Sequence, residues 1–398
     1  MNKQHLVILS LGSNLGDRLD NLRKGIDHIH HSVGTVINVS RVFESPAWGF
    51  DGEPFLNCAI SMHCSKSADT ILRLIKRIED ASGRSPKKVG QYESRTIDID
   101  LIAYDEEIIK FDHLEVPHPL MQDRLFVLLP MRDLKLEWRH PIFQQYLPEL
   151  LELTSDQNQC RPVADLISPL DSIRPSLCNY IAIEGNIGAG KTTLTNRMAE
   201  DLNAKTVLER FADNPFLPKF YDDQSRYAFP LEMSFLADRY QQISDDLAQF
   251  DLFREFIVAD YHIFKSLIFA KVTLTDDEYR LYRKLFDIIY REIPKPDLYV
   301  YLYQNTDKLL ANIKRRGRSY EQDITPEYLE KINRGYLDFV KSQTNLNILV
   351  IDVSDRDFVA NQEDYIYILG QIEQKLKSGI TPFFKQIPDN DSGTDGNV

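Results

Sequence analysis

Two stretches of the sequence hold residues whose types and spacing could do phosphate chemistry. Gly185-Asn186-Ile187-Gly188-Ala189-Gly190-Lys191-Thr192 has the spacing of a P-loop. Glycines there let successive backbone N–H groups converge on phosphate oxygens, and the helix that follows presents its positive end to the same anion. Lys191 would reach the terminal phosphates of a nucleoside triphosphate, and the Thr192 hydroxyl would ligate Mg²⁺. The second stretch is Arg95-Thr96-Ile97-Asp98-Ile99-Asp100-Leu101-Ile102. On a strand alternate side chains share a face, so Asp98 and Asp100 project together while Ile97, Ile99 and Leu101 enter the core. Adjacent carboxylates repel unless a cation lies between them, and their oxygens suit Mg²⁺ held against a polyphosphate. Taken alone, the pair is better read as a solvated strand face.

The elements that must position these residues fall into two blocks. From Leu6 to about Leu134, strand-like runs at Leu6–Leu11, Val36–Val42, Leu56–His63 and Ile97–Tyr104 interleave with amphipathic stretches such as Ala68–Ala81, where Ile71, Leu72, Ile75 and Ile78 recur at helical spacing. That mixture predicts an α+β sandwich. Ser155–Ser176 is rich in Ser, Pro, Asp, Asn and Gln, which predicts a connector. Beyond it a strand at Tyr180–Glu184 runs into the P-loop and a helix over Lys191–Leu202. Helices follow around Leu231–Phe250 and Phe264–Ile289, and strands at Asp297–Tyr303 and Ile348–Val353. This alternation predicts α/β architecture with a parallel sheet. The expected domains are 1–158, a linker at 159–177, a P-loop domain at 178–385 and a disordered tail at 386–398.

A length of 398 residues suits two cores. No run reaches the roughly 18 apolar residues that cross a bilayer, and the N-terminal residues lack the pattern of a secretory signal, so a cytoplasmic protein is expected. The net charge of −13 argues against nucleic acid or an anionic membrane as partner. Cys58, Cys64, Cys160 and Cys178 are scattered, without metal-site or disulfide spacing.

The P-loop, Glu209-Arg210, Asn214-Pro215-Phe216-Leu217 and Arg316-Gly317-Arg318-Ser319-Tyr320-Glu321-Gln322 occur in one order between about Tyr180 and Asp352. Together they resemble the deoxyribonucleoside kinase family, which implies a P-loop kinase fold and ATP as phosphate donor. The resemblance implies an ATP site at Gly185, Asn186, Gly188, Ala189, Gly190, Lys191, Thr192 and Thr193, with one Mg²⁺ at Thr192. It makes Glu209 the base for a deoxyribose 5′-hydroxyl, Tyr221 and Glu321 the grip on the 3′-hydroxyl, and Arg316 and Arg318 the lid over the phosphates. Phe229–Arg239 is similar to the family's base-reading helix, which brings Glu232 and Arg239 to the substrate, but Glu232 stands where most members carry Gln. An ionised glutamate only accepts hydrogen bonds, so it favours a base edge rich in N–H donors. Asp260 aligns with a carboxylate that meets exocyclic amino groups, and Tyr261 replaces the usual arginine. Arg254-Glu255 reverses the family's order, leaving open which of the two serves the phosphate or Mg²⁺. The expected acceptor is a purine deoxynucleoside, deoxyadenosine first and deoxyguanosine second.

In the first block, Leu11-Gly12-Ser13-Asn14-Leu15-Gly16-Asp17, Glu44-Ser45-Pro46, Phe55-Leu56-Asn57, Gly83-Arg84, the Arg-Thr-x-Asp-x-Asp stretch and Val116-Pro117-His118-Pro119 occur in one order. They resemble 6-hydroxymethyl-7,8-dihydropterin pyrophosphokinase, which implies a ferredoxin-like sandwich and diphosphate transfer from ATP to a pterin. On that resemblance Asp98 and Asp100 hold two Mg²⁺ ions, and Arg84 and Arg95 contact phosphate. His118, Arg124 and Glu79 lie on the nucleotide side, while Ser45, Pro46 and Asn57 line the pterin pocket. Phe55 and Phe126 sandwich the ring. Tyr92 replaces a frequent Trp, and Pro86 stands at a position often basic, with Lys87 and Lys88 following.

Two other readings stay open at this level. One half could be a nucleotide-binding or dimerisation module without turnover, or the second half could phosphorylate a nucleoside monophosphate. The family likeness also implies a homodimer or higher homo-oligomer.

Overall fold

The computed structural model describes residues 3–83, 94–171, 178–210, 214–248, 256–291, 293–318 and 321–378. The chain divides into two units, Met1–Ser172 with Phe358–Tyr367, and Ile173–Asp357 with Ile368–Val398.

The first unit is built on an antiparallel sheet of β1 (His5–Ser13), β2 (Thr35–Val39), β3 (Val42–Ser45), β4 (Phe55–Cys64), β5 (Asp98–Tyr104) and β8 (Arg161–Ala164). The order is β5-β1-β4-β3-β8, with β2 also on β4. A hairpin of β6 (Ile109–Phe111) and β7 (Leu114–Val116) stands apart from it. Alternation along β1 sends Val7, Leu9 and Leu11 to one face and Ile8 to the other. The first set packs with α1 (Arg18–Ser32) and α2 (Ala68–Ala81) through Leu22, Ile26, Ile29, Ile71 and Ile75. Ile8 packs with Val127, Leu128 and Met131 of α3 (Leu125–Asp133) and Leu147 and Leu150 of α4 (Leu147–Leu153). Ile71 and Ile75 are fully buried, each worth about 1.5–3 kcal/mol of apolar burial. Asp17 caps α1 by accepting from the Asp20 amide, and Ser67 caps α2 by accepting from the Thr70 amide.

The second unit is a parallel sheet in the order β10-β11-β9-β12-β13. Its elements run β9 (Tyr180–Gly185), α5 (Lys191–Asp201), β10 (Lys205–Val207), α6 (Leu217–Asp222), α7 (Gln224–Ala248) and β11 (Ile257–Ala259). They continue as α8 (Phe264–Thr273), α9 (Asp276–Tyr290), β12 (Leu298–Tyr303), α10 (Thr306–Arg316), α11 (Pro326–Ser342), β13 (Ile348–Asp352) and α12 (Gln362–Ser378). β9 lies in the middle, so the loop at its carboxyl end opens where connections leave in opposite directions, the place where α/β sheets take ligands. Among the described residues no helix is long and apolar enough to cross a membrane.

Three expectations are corrected. The run Val36–Val42 divides into β2 and β3. Within the supposed linker, Arg161–Ala164 pairs with β3 as an edge strand, a position that tolerates Pro162 and is too short to show periodicity. Phe264–Ile289 is two helices, because Thr275 and Glu278 form a capping box that starts α9. The expected tail at 386–398 lies outside the described residues.

Candidate active sites

In the first unit, β5 presents Asp98 and Asp100 partly exposed and buries Ile99 and Leu101, as alternation requires. Asp98 lies opposite Gly12 and Asp100 opposite Ser10 on β1. The Arg95 guanidinium is ion-paired with Asp98. The Leu11–Asp17 motif holds this segment. The Asn14 side chain accepts from the Arg95 amide at 2.6 Å, its own amide donates to the Arg95 carbonyl at 3.1 Å, and the Ser13 hydroxyl donates to the Thr96 carbonyl at 2.6 Å.

Arg95, Asp98 and Asp100 face a cavity of about 610 Å³, solvent at its mouth included, which Ser45, Pro46, Asn57, Phe55, Phe126 and Arg124 also line. Asn57 donates to the Ser45 hydroxyl at 3.0 Å. A Cβ at Gly12 would stand 3.1 Å from the Asn57 oxygen and 3.4 Å from the Phe55 ring, so a glycine keeps this wall flat. The Arg124 Nε is buried without a hydrogen-bond partner, a donor left for an anion.

Ser10, Trp48 and Phe50 line the same cavity but were not anticipated. Trp48 lies 6.0 Å from Phe126 and Phe50 6.3 Å from Phe55, giving the apolar wall four rings rather than two. The signal was Trp48-Gly49-Phe50, placed between Pro46 and Phe55.

Of the expected nucleotide-side groups, Glu79 lies off the cavity wall and His118 lies within electrostatic reach of Arg124 and Asp98. Glu79 is only 3% exposed and accepts from the Ile99 amide at 2.9 Å, so it braces β5 from beneath rather than lining the cavity. His118 sits at a turn where its Nδ1 accepts from the Leu120 amide at 3.3 Å. Burial, reinforced by Arg124, pushes its imidazole down to about 4, leaving a neutral ring. Arg84, Pro86, Lys87, Lys88 and Tyr92 lie outside the described residues.

In the second unit, Gly188 and Gly190 adopt φ of +83° and +86°, which side chains disfavour. At Gly188 a Cβ would also come 2.9 Å from the Leu309 carbonyl. Asn186 is buried and anchors the loop by donating to the Leu329 carbonyl and the Asn333 side chain, both at 2.8 Å. Lys191 donates to the carbonyls of Gly185 and Asn186, at 3.0 Å each. Burial, with Lys265 adding repulsion, pulls its ammonium down to about 8. Ala189 is buried, while Thr193, the third residue of α5, is partly buried.

Glu209 follows β10 and is held by two cations. Arg239 donates to one carboxylate oxygen at 2.8 Å and Lys265 to the other at 2.6 Å. Burial opposes its charge, yet these partners keep the carboxyl far below its ordinary range. The neighbouring Arg210 amide donates to Gln242 at 3.1 Å. Lys265 was missed; its signal is a lone lysine in the otherwise apolar run Ile263-Phe264-Lys265-Ser266-Leu267-Ile268.

Asp260 differs from its expected place at the base. It accepts from the Thr192 hydroxyl and, at 2.7 Å, from the Glu209 amide, because β11 ends beside the P-loop helix. A serine or threonine hydroxyl plus a carboxylate is a donor set that fits Mg²⁺. Arg254 and Glu255 lie outside the described residues.

Tyr221, Glu232, Arg239 and Glu321 line one cavity of about 840 Å³ with Lys191, Thr192, Glu209 and Asp260. Glu321 is 5% exposed and takes both lid arginines, Arg316 through Nε at 3.1 Å and Arg318 at 3.3 Å. Burial pushes the Cys58 thiol up to about 12, away from reactivity.

Fold and sites together define two phosphate-transferring enzymes in one chain, a carboxylate-lined aromatic cavity on an antiparallel sheet and a P-loop cavity on a parallel one. Family models agree. That of 7,8-dihydro-6-hydroxymethylpterin-pyrophosphokinase matches residues 8–136, and that of deoxynucleoside kinase matches residues 181–377. Over 201 residues the chain is 36% identical to a deoxyguanosine kinase of Bacillus subtilis, spanning 50% of this chain and 97% of that protein. It is 35% identical over 185 residues to a deoxyadenosine kinase of Dictyostelium discoideum, 45% of this chain and 74% of that protein. Over 139 residues it is 37% identical to a 2-amino-4-hydroxy-6-hydroxymethyldihydropteridine pyrophosphokinase of Porphyromonas gingivalis, 34% of this chain and 94% of that protein. The chain belongs to the pterin pyrophosphokinase family through its N-terminal region and to the deoxynucleoside kinase family through its C-terminal region.

Proposed function

We propose that the N-terminal cavity positions the hydroxymethyl oxygen of 6-hydroxymethyl-7,8-dihydropterin for attack on the β-phosphorus of ATP, with AMP leaving, and that the C-terminal cavity phosphorylates the 5′-hydroxyl of a purine deoxynucleoside. The observation that carries the second half is the convergence of Lys191, Glu209 and Glu321 on one cavity, which supplies phosphate, hydroxyl and sugar contacts together. Mg²⁺, when bound, neutralises phosphate charge; we assign two ions to Asp98 and Asp100 and one to Thr192 with Asp260. Phe55 and Phe126, with Trp48 and Phe50, would stack the pterin, and Ser45 and Asn57 would bond its edge.

Glu209 stays ionised between Arg239 and Lys265, so it orients the 5′-hydroxyl and takes its proton late, as bonding to phosphorus acidifies that oxygen. Arg316 and Arg318 now neutralise Glu321; we propose that they turn to the transferring phosphoryl group when ATP binds, freeing Glu321 for the 3′-hydroxyl. The relatives' names divide between deoxyguanosine and deoxyadenosine, so the base is proposed as a purine, without the order expected from sequence.

The strand order β5-β1-β4-β3, with α1 and α2 on one face, supports a ferredoxin-like reading of the first unit. Leu281 and Ile288, 51% and 66% exposed on α9, support a dimer through the kinase helices. The ATP demand of both reactions supports a cytoplasmic setting.

The test is an acceptor survey: the four deoxynucleosides, their monophosphates and the pterin, each with ATP. Purine deoxynucleosides and the pterin should be consumed. Preference for thymidine or deoxycytidine would refute the base assignment, and preference for a monophosphate would refute the nucleoside-kinase reading.

A further inference from the structure

Glu232 lines the kinase cavity with no cation bonded to it, a state it shares there with Asp260, which instead holds the Thr192 hydroxyl and the Glu209 amide. Glu232 is 2% exposed, and its Oε2 has no hydrogen-bond partner although the residue faces the cavity. Its Oε1 lies 3.0 Å from the Thr273 hydroxyl, which is also 2.9 Å from the Phe269 carbonyl. A hydroxyl has one proton, so it serves one of these acceptors at a time. When Thr273 donates to Phe269, only a proton on Glu232 can close the Oε1 contact. When Thr273 turns to Oε1, a neutral Glu232 carries its proton on Oε2, toward the cavity.

The two protonation states present different faces to a base. Ionised, the carboxylate offers two acceptors, the complement of the N1–H and N2–H₂ donors of guanine. Neutral, it offers one donor and one acceptor, the complement of adenine N1 and N6–H₂. We propose that the protonation state of Glu232 selects between the two purines, ionised Glu232 taking deoxyguanosine and neutral Glu232 taking deoxyadenosine. This rests on the reading of the cavity as a purine deoxynucleoside site.

The surroundings poise the group for such a choice. Burial, opposed chiefly by Arg239, raises the Glu232 carboxyl to about 7. The charged or titratable groups around it are Arg239 on its own helix, Lys265 on α8, Glu209 after β10, Tyr282 on α9, Tyr328 on α11 and Tyr221 on α6. Arg239 and Lys265 are committed to Glu209. Burial raises the Tyr282 and Tyr328 hydroxyls far above neutrality. Lys191, pulled down to about 8, titrates nearby, but it serves the ATP side and affects both acceptors alike. The ratio of the two acceptors therefore isolates Glu232.

The experiment measures kcat/KM for deoxyguanosine and deoxyadenosine on the full chain across pH, for wild type and Glu232→Gln. In wild type the guanine-to-adenine ratio should rise with pH around neutrality. Complete selection gives about 100-fold over the two pH units that bracket the transition, and at least tenfold is expected. The glutamine amide fixes one donor and one acceptor, so Glu232→Gln should hold the ratio flat at the wild-type acid value. A wild-type ratio that ignores pH overturns the proposal, even if Glu232→Gln fails to accumulate, and so does a variant that keeps the slope. Turnover of pyrimidines alone would instead overturn the purine reading, and the selection with it.

Discussion

The carboxylates facing the N-terminal cavity, Asp98 and Asp100, are partly exposed on a strand, and Asp98 has its ion pair with Arg95 on the same short segment. At the C-terminal cavity Glu209 is buried between Arg239 and Lys265, which arrive from two different helices. The first site leaves its charge near water for bound cations to neutralise. The second neutralises its charge within the fold, at the desolvation penalty that buried ion pairs carry. Single substitutions should therefore impair chemistry alone at the first site, but chemistry and folding together at the second.

The largest effect is expected at Lys191. Lys191→Met removes a preorganised donor to phosphate and should lower kinase kcat by about 10²–10³, while pterin pyrophosphorylation stays unchanged. An equal loss in both activities would break the separation of the two sites. Next is Lys265→Met, which leaves Glu209 with Arg239 alone. Removing one member of a buried pair costs about 3–5 kcal/mol, and the low end applies because one cation remains. Denaturant unfolding should show this together with reduced kinase turnover. The Glu209 carboxyl is depressed, so its stabilising contribution is present above the ordinary carboxylate range and is lost only as pH falls through its lowered value. In Lys265→Met the folded-state value moves back toward the ordinary one, so that loss should be smaller and complete at higher pH.

His118 offers a pH test in the first unit. Its folded-state pKa of about 4 lies below the ordinary 6.5, so the unfolded chain takes up a proton first. Stability should fall as pH drops from about 6.5 to about 4, by no more than about 3 kcal/mol, and His118→Gln should flatten that slope. The smallest effect is expected at Phe126. Phe126→Ala removes one ring of the pterin wall, worth about 0.5–1.5 kcal/mol beyond area burial, and should raise the pterin KM up to about tenfold with little change in kcat.

What sequence revealed and what it hid divide along the same line. The P-loop and the Asp98/Asp100 alternation were legible because glycine spacing and strand period are local properties. Arg316, Arg318 and Glu321 were singled out by the family resemblance, which a short contiguous motif can carry. Lys265 was not, because it meets Glu209 only after β10 and α8 are brought together, 56 residues apart. Asp260 was assigned to the base from its place in a motif, whereas its bond to Thr192 depends on β11 lying beside β9. Arg161–Ala164 looked like linker because an edge strand of four residues buries too little to leave a pattern.

The most direct measurement of the central claim, two independent ATP-consuming sites in one chain, is the nucleotide by-product. Diphosphate transfer to the pterin must release AMP, and phosphoryl transfer to a deoxynucleoside must release ADP. Phosphorus NMR of one preparation should show AMP with the pterin alone and ADP with a purine deoxynucleoside alone. Asp100→Ala should abolish only AMP formation. If the pterin yields ADP, or if Asp100→Ala removes both products, the account is wrong.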